Sequence, residues 1–572
     1  MEQQRPLLYL TLIFLGFMIW TQWQQDHAPQ PIIPATSEST NTAAQQNAPK
    51  ADTTLRNASN VDIPQQASNA QQTSVNQDTT SQNTTQGAII SIKTDTLDIQ
   101  INTYGGDIVH AALPAHPISL EEPDVATVIL DSKKYYSAQS GLNHNKINGQ
   151  DTSNLAPTHH ATYSSSKGNY ALKNGDDTLV VPLIWDNGKG ITVTKRYTFK
   201  RGTYLIGVEH EVKNNSGQTW SGFEYRQLRH APVVKKGSFL SGAQAYVGPA
   251  YYDFEDGTYH YEKLKFGDFN DPDEKLDKNI KGGWAAMLEH YFVSAWIPQQ
   301  DQINTFYSTY IPSNVPSYII GLKTPNIEIA SGASHTFKDG FYVGPKDQAS
   351  LEAIANGLDM TVDYGIFSIF SKPIFWLLKM YHNVFGNWGW AIIFVTLTIK
   401  LLFFWPSAIS YKSMAKMKKL APKMKEMQER HKNDPQAKQK AMMEFYRKEK
   451  INPFGGCLPM LIQIPVFMGL YWVLQESVEL RQAPWILWYK DLSIMDPYLI
   501  LPLLMGASMW LQQKLNPPQM DPMQQKIFQW LPVVFTVMFL FFPAGLVLYW
   551  VVNNILSMAQ QWYINNKIID NK

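Results

Sequence analysis

The sequence predicts a multi-domain membrane protein in which an α-helical transmembrane bundle is joined to a large antiparallel β-sandwich. Three observations carry this. Apolar runs long enough to span a bilayer occur near the N-terminus and repeatedly in the last third of the 572 residues. Between them, residues 88–350 are written in short alternating segments broken by Gly, Asn, Asp and Pro. The charge is lopsided too: residues 411–452 hold 13 Lys or Arg against 5 Asp or Glu, while the remainder carries 36 against 43. One basic block on a mildly acidic chain points to sidedness across a membrane more than to nucleic-acid specificity. The mean hydropathy of −0.25 hides this pattern by averaging over it.

Taken in order, residues 1–23 contain the run PLLYLTLIFLGFMIWTQW, with Arg5 before it and Trp20 and Trp23 near its far end. A cleaved signal peptide is the rival reading. The run is longer than a usual signal core and no A-x-A-like site follows it, so it is read as an anchor entered from the cytoplasm. Residues 24–87 lack Phe, Trp and Tyr and are rich in Gln, Asn, Thr, Ser and Ala. Such a stretch buries too little apolar area to offset chain entropy and reads as a flexible linker. In 88–350, segments such as ITVTKRYTFKRGTYLIGVEHEV (191–212) alternate polar with apolar residues, as half-buried strands do. No nucleotide loop or nucleophile elbow interrupts them. His159 and His160 are adjacent, and in a strand their rings would face opposite ways, so no chelate is expected. The single cysteine, Cys457, permits no internal disulfide and reads as a small packing residue.

Residues 358–385 mix Ile366, Phe370, Ile374 and Leu378 with Asp363, Lys372 and Lys379, the composition of an amphipathic helix lying in a membrane interface. Five further spans are predicted at 388–409, 454–475, 498–513, 527–542 and 544–562. Six spans return the tail, residues 563–572, to the side of the N-terminus. The basic loop 411–452 then falls in the cytoplasm, as the positive-inside bias requires. The third and fourth of the five are only sixteen residues each, roughly 24 Å of helix against a hydrocarbon core of ~30 Å, and short spans thin the bilayer.

Lys400 is the informative residue. It lies about 18 Å of helix rise from Trp388, deep inside its span, where a lone cation costs roughly 2.5–3.5 kcal/mol. None of the five spans holds an Asp or Glu to pair with it. A cation without a counter-ion needs water, so a hydrated cavity open to the cytoplasm is expected. Thr396, Thr398, Gln463, Ser508, Asn553 and Asn554 are candidates to line it. The alternative is a lysine that snorkels to the interface and has no role.

The basic loop reads as a helical hairpin broken at Asn433-Asp434-Pro435. Met414, Met417, Met424 and Met427 recur at helical spacing with lysines, Lys418 among them, in between. Methionines adapt to varied partners, so this face suits incoming segments; equally, the two apolar stripes of the hairpin pack on each other. The lysines also suit anionic lipid headgroups.

Six stretches make the chain recognisable: NWGWAIIFVTLTIK (387–400), SMAKMKKLAPKM (413–424), NPFGGCLPMLIQIPVF (452–467), SVELRQAPW (477–485), DPMQQKIF (521–528) and FPAGLVLYWVVNN (542–554). They resemble the YidC/Oxa membrane insertase family in its Gram-negative form. The resemblance implies an inner-membrane protein whose 88–350 region is a periplasmic β-super-sandwich and whose residues 388–562 form a five-span insertase core. It implies insertion and folding of nascent membrane proteins, alone or with the Sec translocon, and transient contact with ribosome–nascent chain complexes. No cofactor and no bond-making chemistry are implied. Lys400 stands where the family carries a groove cation, often arginine, and Thr396, Gln463, Tyr549 and Trp550 match positions along the family's substrate path. Lysine keeps the charge but loses the planar fork that grips a carboxylate at two points.

Overall fold

The structure, a computed structural model, describes residues 62–65, 87–145, 154–231, 245–255, 258–271, 274–313, 315–431, 434–449, 458–515 and 522–564. The predicted anchor 1–23, most of the linker 24–87, Cys457 and the tail beyond residue 564 lie outside these. The described chain divides into two units, one ending at Thr361 and one running on from Val362.

The first unit is a β-sandwich. Among the described residues, nineteen strands form an eleven-stranded and an eight-stranded sheet. Pairings are antiparallel except for Ile89–Lys93, which runs parallel to Asn169–Ala171. The alternation in the sequence becomes burial: along Ile191–Lys200, residues Ile191, Val193, Lys195, Tyr197 and Phe199 point inward while the residues between them do not. The neighbouring strand Leu205–Asn214 meets it in register, with Ile206 opposite Phe199 and Val208 opposite Tyr197. Its inward-facing Ile206 and Val208 share one core with Ile99, Ile108 and Leu228 of the other sheet. Each fully buried aliphatic or aromatic side chain contributes roughly 1.5–3 kcal/mol, enough collectively to carry the buried charges on the same faces.

Glycine is required at one turn. Gly105 and Gly106 have φ of +80° and +61°, and a Cβ on Gly105 would sit 2.5 Å from the His159 carbonyl oxygen. The close approach lets the Gly105 oxygen accept from Lys195 Nζ and the Gly106 oxygen accept from the Tyr197 hydroxyl. A short helix, α1 (Gln348–Ile354), is capped by the Asp347 carboxylate, which accepts from the Ser350 amide.

The second unit is helical: α2 (Ser368–Phe385), α3 (Trp388–Leu402), α4 (Phe404–Arg430), α5 (Pro435–Lys448), α6 (Leu458–Glu476), α7 (Ile500–Leu515), α8 (Pro522–Phe539) and α9 (Ala544–Tyr563). The helix predicted over 358–385 begins only at Ser368. Residues Leu358–Thr361 and Gly365–Phe367 form 3₁₀ turns, and Gly365 takes a φ of +56° that a helix cannot use. Gly386, also at positive φ, ends α2, and the Asn387 side chain then caps α3 by accepting from the Trp390 amide. The single span expected at 388–409 is two helices, bent by 67° at Phe403. Pro406 explains the break: its ring would collide with the carbonyl of residue 402, so Pro406 sits instead in the first turn of α4, where it is tolerated. α8 has eighteen residues instead of the predicted sixteen, while α7 keeps sixteen.

Among the described residues no single helix is long and apolar enough to cross a membrane; α3 and the first part of α4, to Met417, reach that length and hydropathy only together, across their bend. The unit nevertheless exposes large apolar side chains, among them Trp405, Leu402, Trp530 and Val534. Large exposed apolar side chains on several helices of one unit suit contact with lipid. Inside, α2, α3, α6 and α9 share one core containing Leu378, Ile392, Leu474 and Val547.

Candidate functional site

Where α3 ends, its last turn presents Lys400 to a cavity of about 220 Å³. The lining comes from α4 (Tyr411, Met414), α6 (Gln463, Phe467), α7 (Met509, Gln512), α8 (Phe528, Leu531) and α9 (Trp550, Asn553, Asn554, Ser557). Five helices thus surround one cation. Lys400 Nζ donates to Ser557 Oγ at 2.7 Å, and Ser557 donates onward to the Asn553 carbonyl one turn earlier in α9. Among the described residues no carboxylate lies within ion-pair distance of Lys400. An ammonium has three N–H donors, so one is used and the others face the cavity. The Gln463 Nε2 amide nitrogen is buried and has no hydrogen-bond partner among the described residues. Asn554 Nδ2 donates to Ser508 Oγ at 2.9 Å, tying α9 to α7. Above these polar groups sits an aromatic wall, with Trp550 edge-on to Phe467 at 4.9 Å and close to Phe535 and Phe539.

Of the residues singled out in the sequence, Lys400, Gln463, Trp550, Asn553 and Asn554 converge on this cavity. Thr396 does not. It is buried, and its hydroxyl is spent on the Ile392 carbonyl of its own helix, a habit of threonine in apolar helices. Tyr549 is wholly buried behind the wall, its hydroxyl turned toward the Gln463 side chain. Thr398 likewise bonds back to Phe394 and to the Tyr381 hydroxyl.

The hairpin formed by α4 and α5 departs from expectation in part. Met424 is buried and Met414 is packed with Ala408, Tyr411 and Ile564 while also lining the cavity, so neither offers an open face. Met417 and Met427 are half-buried; the Lys418 side chain lies outside the described residues. Met443, 70% exposed, is the open methionine instead.

Sequence reasoning missed Ser557, Gln560 and Gln561. With Asn553 and Asn554 they fall at helical spacing on one face of α9, and all five are buried. The stripe was visible as a polar periodicity running on past the two asparagines. Gln560 Nε2 donates to the Phe404 carbonyl, just after the break between α3 and α4.

A second cluster lies in the sandwich, and here the expectation that the His159 and His160 rings face opposite ways is overturned. They occupy a turn closed by the Ala161 amide on the Thr158 carbonyl, so the rings lie side by side, 4.1 Å apart. Both Nε2 atoms reach the Asp62 carboxylate at 3.0 Å. The three donor sets lie within 4.8 Å of one another, close enough in principle for a metal ion. The Tyr225 hydroxyl accepts from the His159 amide and lies 2.6 Å from His159 Nδ1. Because a carboxylate only accepts, each Nε2 donates to Asp62 in this arrangement, and a metal ion would have to displace both protons.

A β-sandwich followed by a helical unit that exposes apolar surface and shelters a cation among amides defines a membrane-associated protein with a polar internal site. Comparison with known proteins gives it a family. Residues 380–571 match the 60Kd inner membrane protein family, and residues 89–377 match the YidC periplasmic domain. The membrane protein insertase YidC of Thioalkalivibrio sulfidiphilus is 47% identical over 572 residues, covering 99% of each chain. That of Methylococcus capsulatus is 45% identical, covering 100% of this chain and 99% of its own. A crystal structure of an active YidC insertase with its first transmembrane domain resolved aligns over 84% of this chain and 95% of its own, at 14% identity and a TM-score of 0.38. The chain belongs to the YidC family of membrane protein insertases, inner-membrane proteins with a periplasmic domain, and is not an enzyme.

Proposed function

We propose that this chain inserts and folds client membrane proteins by drawing a polar segment of each client into the cavity around Lys400 from the cytoplasmic side. The observation that carries this reading is the cation itself: one donor bound to Ser557, no carboxylate partner among the described residues, and polar amides beside it. A cavity of about 220 Å³ with this lining has room for several waters. Lys400 then attracts acidic residues of the translocating segment, in a medium where the pair is worth more than in water. Trp550 and the phenylalanines behind it give the client's apolar residues a surface to slide along before they partition into lipid. Gln463, Asn553 and Asn554 hydrogen-bond its backbone on the way.

The proposed topology has six spans, both termini in the cytoplasm and the α4–α5 hairpin at the cytoplasmic mouth. There Met417, Met427 and the lysines receive clients and touch anionic lipid. The Sec translocon and ribosome–nascent chain complexes are the proposed partners in delivery. The test is replacement of Lys400 in cells depleted of the native copy, with insertion of acidic-tailed clients followed by protease protection. Arg is expected to support insertion, Ala to slow it about tenfold, equivalent to ~1.4 kcal/mol, and Glu to slow it further. Insertion at the native rate with Ala would remove the electrostatic role.

A further inference from the structure

Residues Asp62–Gln65 stand more than twenty residues ahead of the first strand, yet side chains of the sandwich hold them along their length. The Asp62 carboxylate accepts from His159 and His160. The backbone carbonyls of Asp62, Pro64 and Gln65 accept from Gln227 Nε2 at 3.2 Å, Asn143 Nδ2 at 3.1 Å and Lys323 Nζ at 2.8 Å. Five bonds to three of these four residues, all from side chains, make a built receptor and not the addition of a strand to a sheet edge. The receptor is itself fixed from behind: Gln227 is held by Gln139 and the Tyr307 hydroxyl, and His159 by Tyr225.

We propose that the sandwich carries a peptide-binding site for a short Asp-Ile-Pro-Gln segment, with His159 and His160 as its carboxylate clamp, and that the chain's own residues 62–65 occupy it in cis. A tethered occupant has an effective concentration in the millimolar range, so it excludes a free peptide of modest affinity. The clamp is also pH-dependent. Burial disfavours the charged Asp62, but its hydrogen bonds from His159 and His160 outweigh this and hold its pKa well below the carboxylate range. Burial likewise lowers the pKa of His160, and the hydrogen bond and charge of Asp62 raise it more. Asp107 adds to that and Arg229 opposes it. A histidine whose pKa rises on docking tightens the complex below its free pKa and loosens it as pH climbs through the bound value.

The experiment uses full-length protein in detergent and a fluorescent peptide of residues 58–68. A variant lacking residues 62–65 should bind the peptide, more weakly at pH 8 than at pH 6, while the intact chain binds at least about tenfold more weakly. A peptide with Asp62→Asn should lose binding. In the deletion background, His160→Gln keeps a neutral donor, so it should retain binding at pH 8 and lose the pH dependence. Equal binding by intact and deleted chains, no binding to the deleted chain, or full binding after His159→Ala with His160→Ala would overturn the proposal. So would binding that requires added zinc or is abolished by a chelator, which would assign the three side chains to a metal.

Discussion

The sandwich buries cations and the helical unit half-buries one, and they treat them in opposite ways. In the sandwich, Lys195 Nζ donates to the Gly105 and Ser140 carbonyls and stands 4.0 Å from Asp107. Arg226 lies 2.5 Å from Asp339 and 3.7 Å from Glu224, and these three side chains are at most 2% exposed. Lys195 and Asp339 belong to the eight-stranded sheet, their partners Asp107 and Arg226 to the other. The charges therefore cross-link the two layers, and Lys195 and Arg226 each face an anion of the opposite or the same sheet. Lys400 has been given one hydroxyl and a cavity. On the function proposed above, the missing counter-ion is binding capacity held for a client segment.

The largest effect should come from Arg226. Replacing it with Met leaves Asp339 and Glu224 buried without their cation, and breaking such a pair typically costs about 3–5 kcal/mol. The thermal midpoint of the sandwich in full-length protein should fall accordingly. Lys400→Met strands no anion, so its stability change should stay within about 1 kcal/mol while insertion suffers. If both variants destabilise equally, the contrast between the two regions is lost.

Next in size is an acid-sensitive term confined to the sandwich. His230 is nearly buried against the Tyr136 ring, 4.3 Å between centroids, and burial pushes its pKa down to about 4. Unfolded histidine titrates near 6.5, so between those values the unfolded chain binds more protons and stability falls as pH is lowered. The contribution is complete above about pH 6.5 and costs on the order of 3 kcal/mol by pH 4. His230→Phe should remove that slope, read as the difference between the variant's and the native pH–stability curves. Identical curves would show that the ring is not held neutral by burial.

Much of this was legible in the sequence, for a reason the contrast makes clear. Alternation along 191–212 dictates which face is buried, so the sandwich could be read strand by strand, with Lys195 falling on the inward face. Lys400 stood out because a charge in an apolar run has few explanations. What could not be read depended on three-dimensional closure. Thr396 and Lys400 are one helical turn apart, yet one faces its own backbone and the other a cavity, a choice made by neighbouring helices. His159 and His160 were misread because a strand was assumed where Thr158–Ala161 closes a turn. The partner that gives the pair its meaning, Asp62, came from a stretch whose composition promises no structure at all.

The smallest expected effect separates charge from geometry at Lys400. Ser557 accepts from Nζ and donates its own hydrogen bond to the Asn553 carbonyl, so it holds the ammonium in place without neutralising it. Ser557→Ala removes one hydrogen bond to a charged donor, in a cavity where water or Asn553 can take over the donor. The stability change should be about 1 kcal/mol or less. Client insertion should fall only a few-fold, less than with Lys400→Ala, and should show the same preference for acidic tails. A loss as deep as that of Lys400→Ala would mean that the position of the amine, and not its charge alone, sets the rate. In that case the sandwich's use of cations as fixed geometric links extends into the helical unit after all.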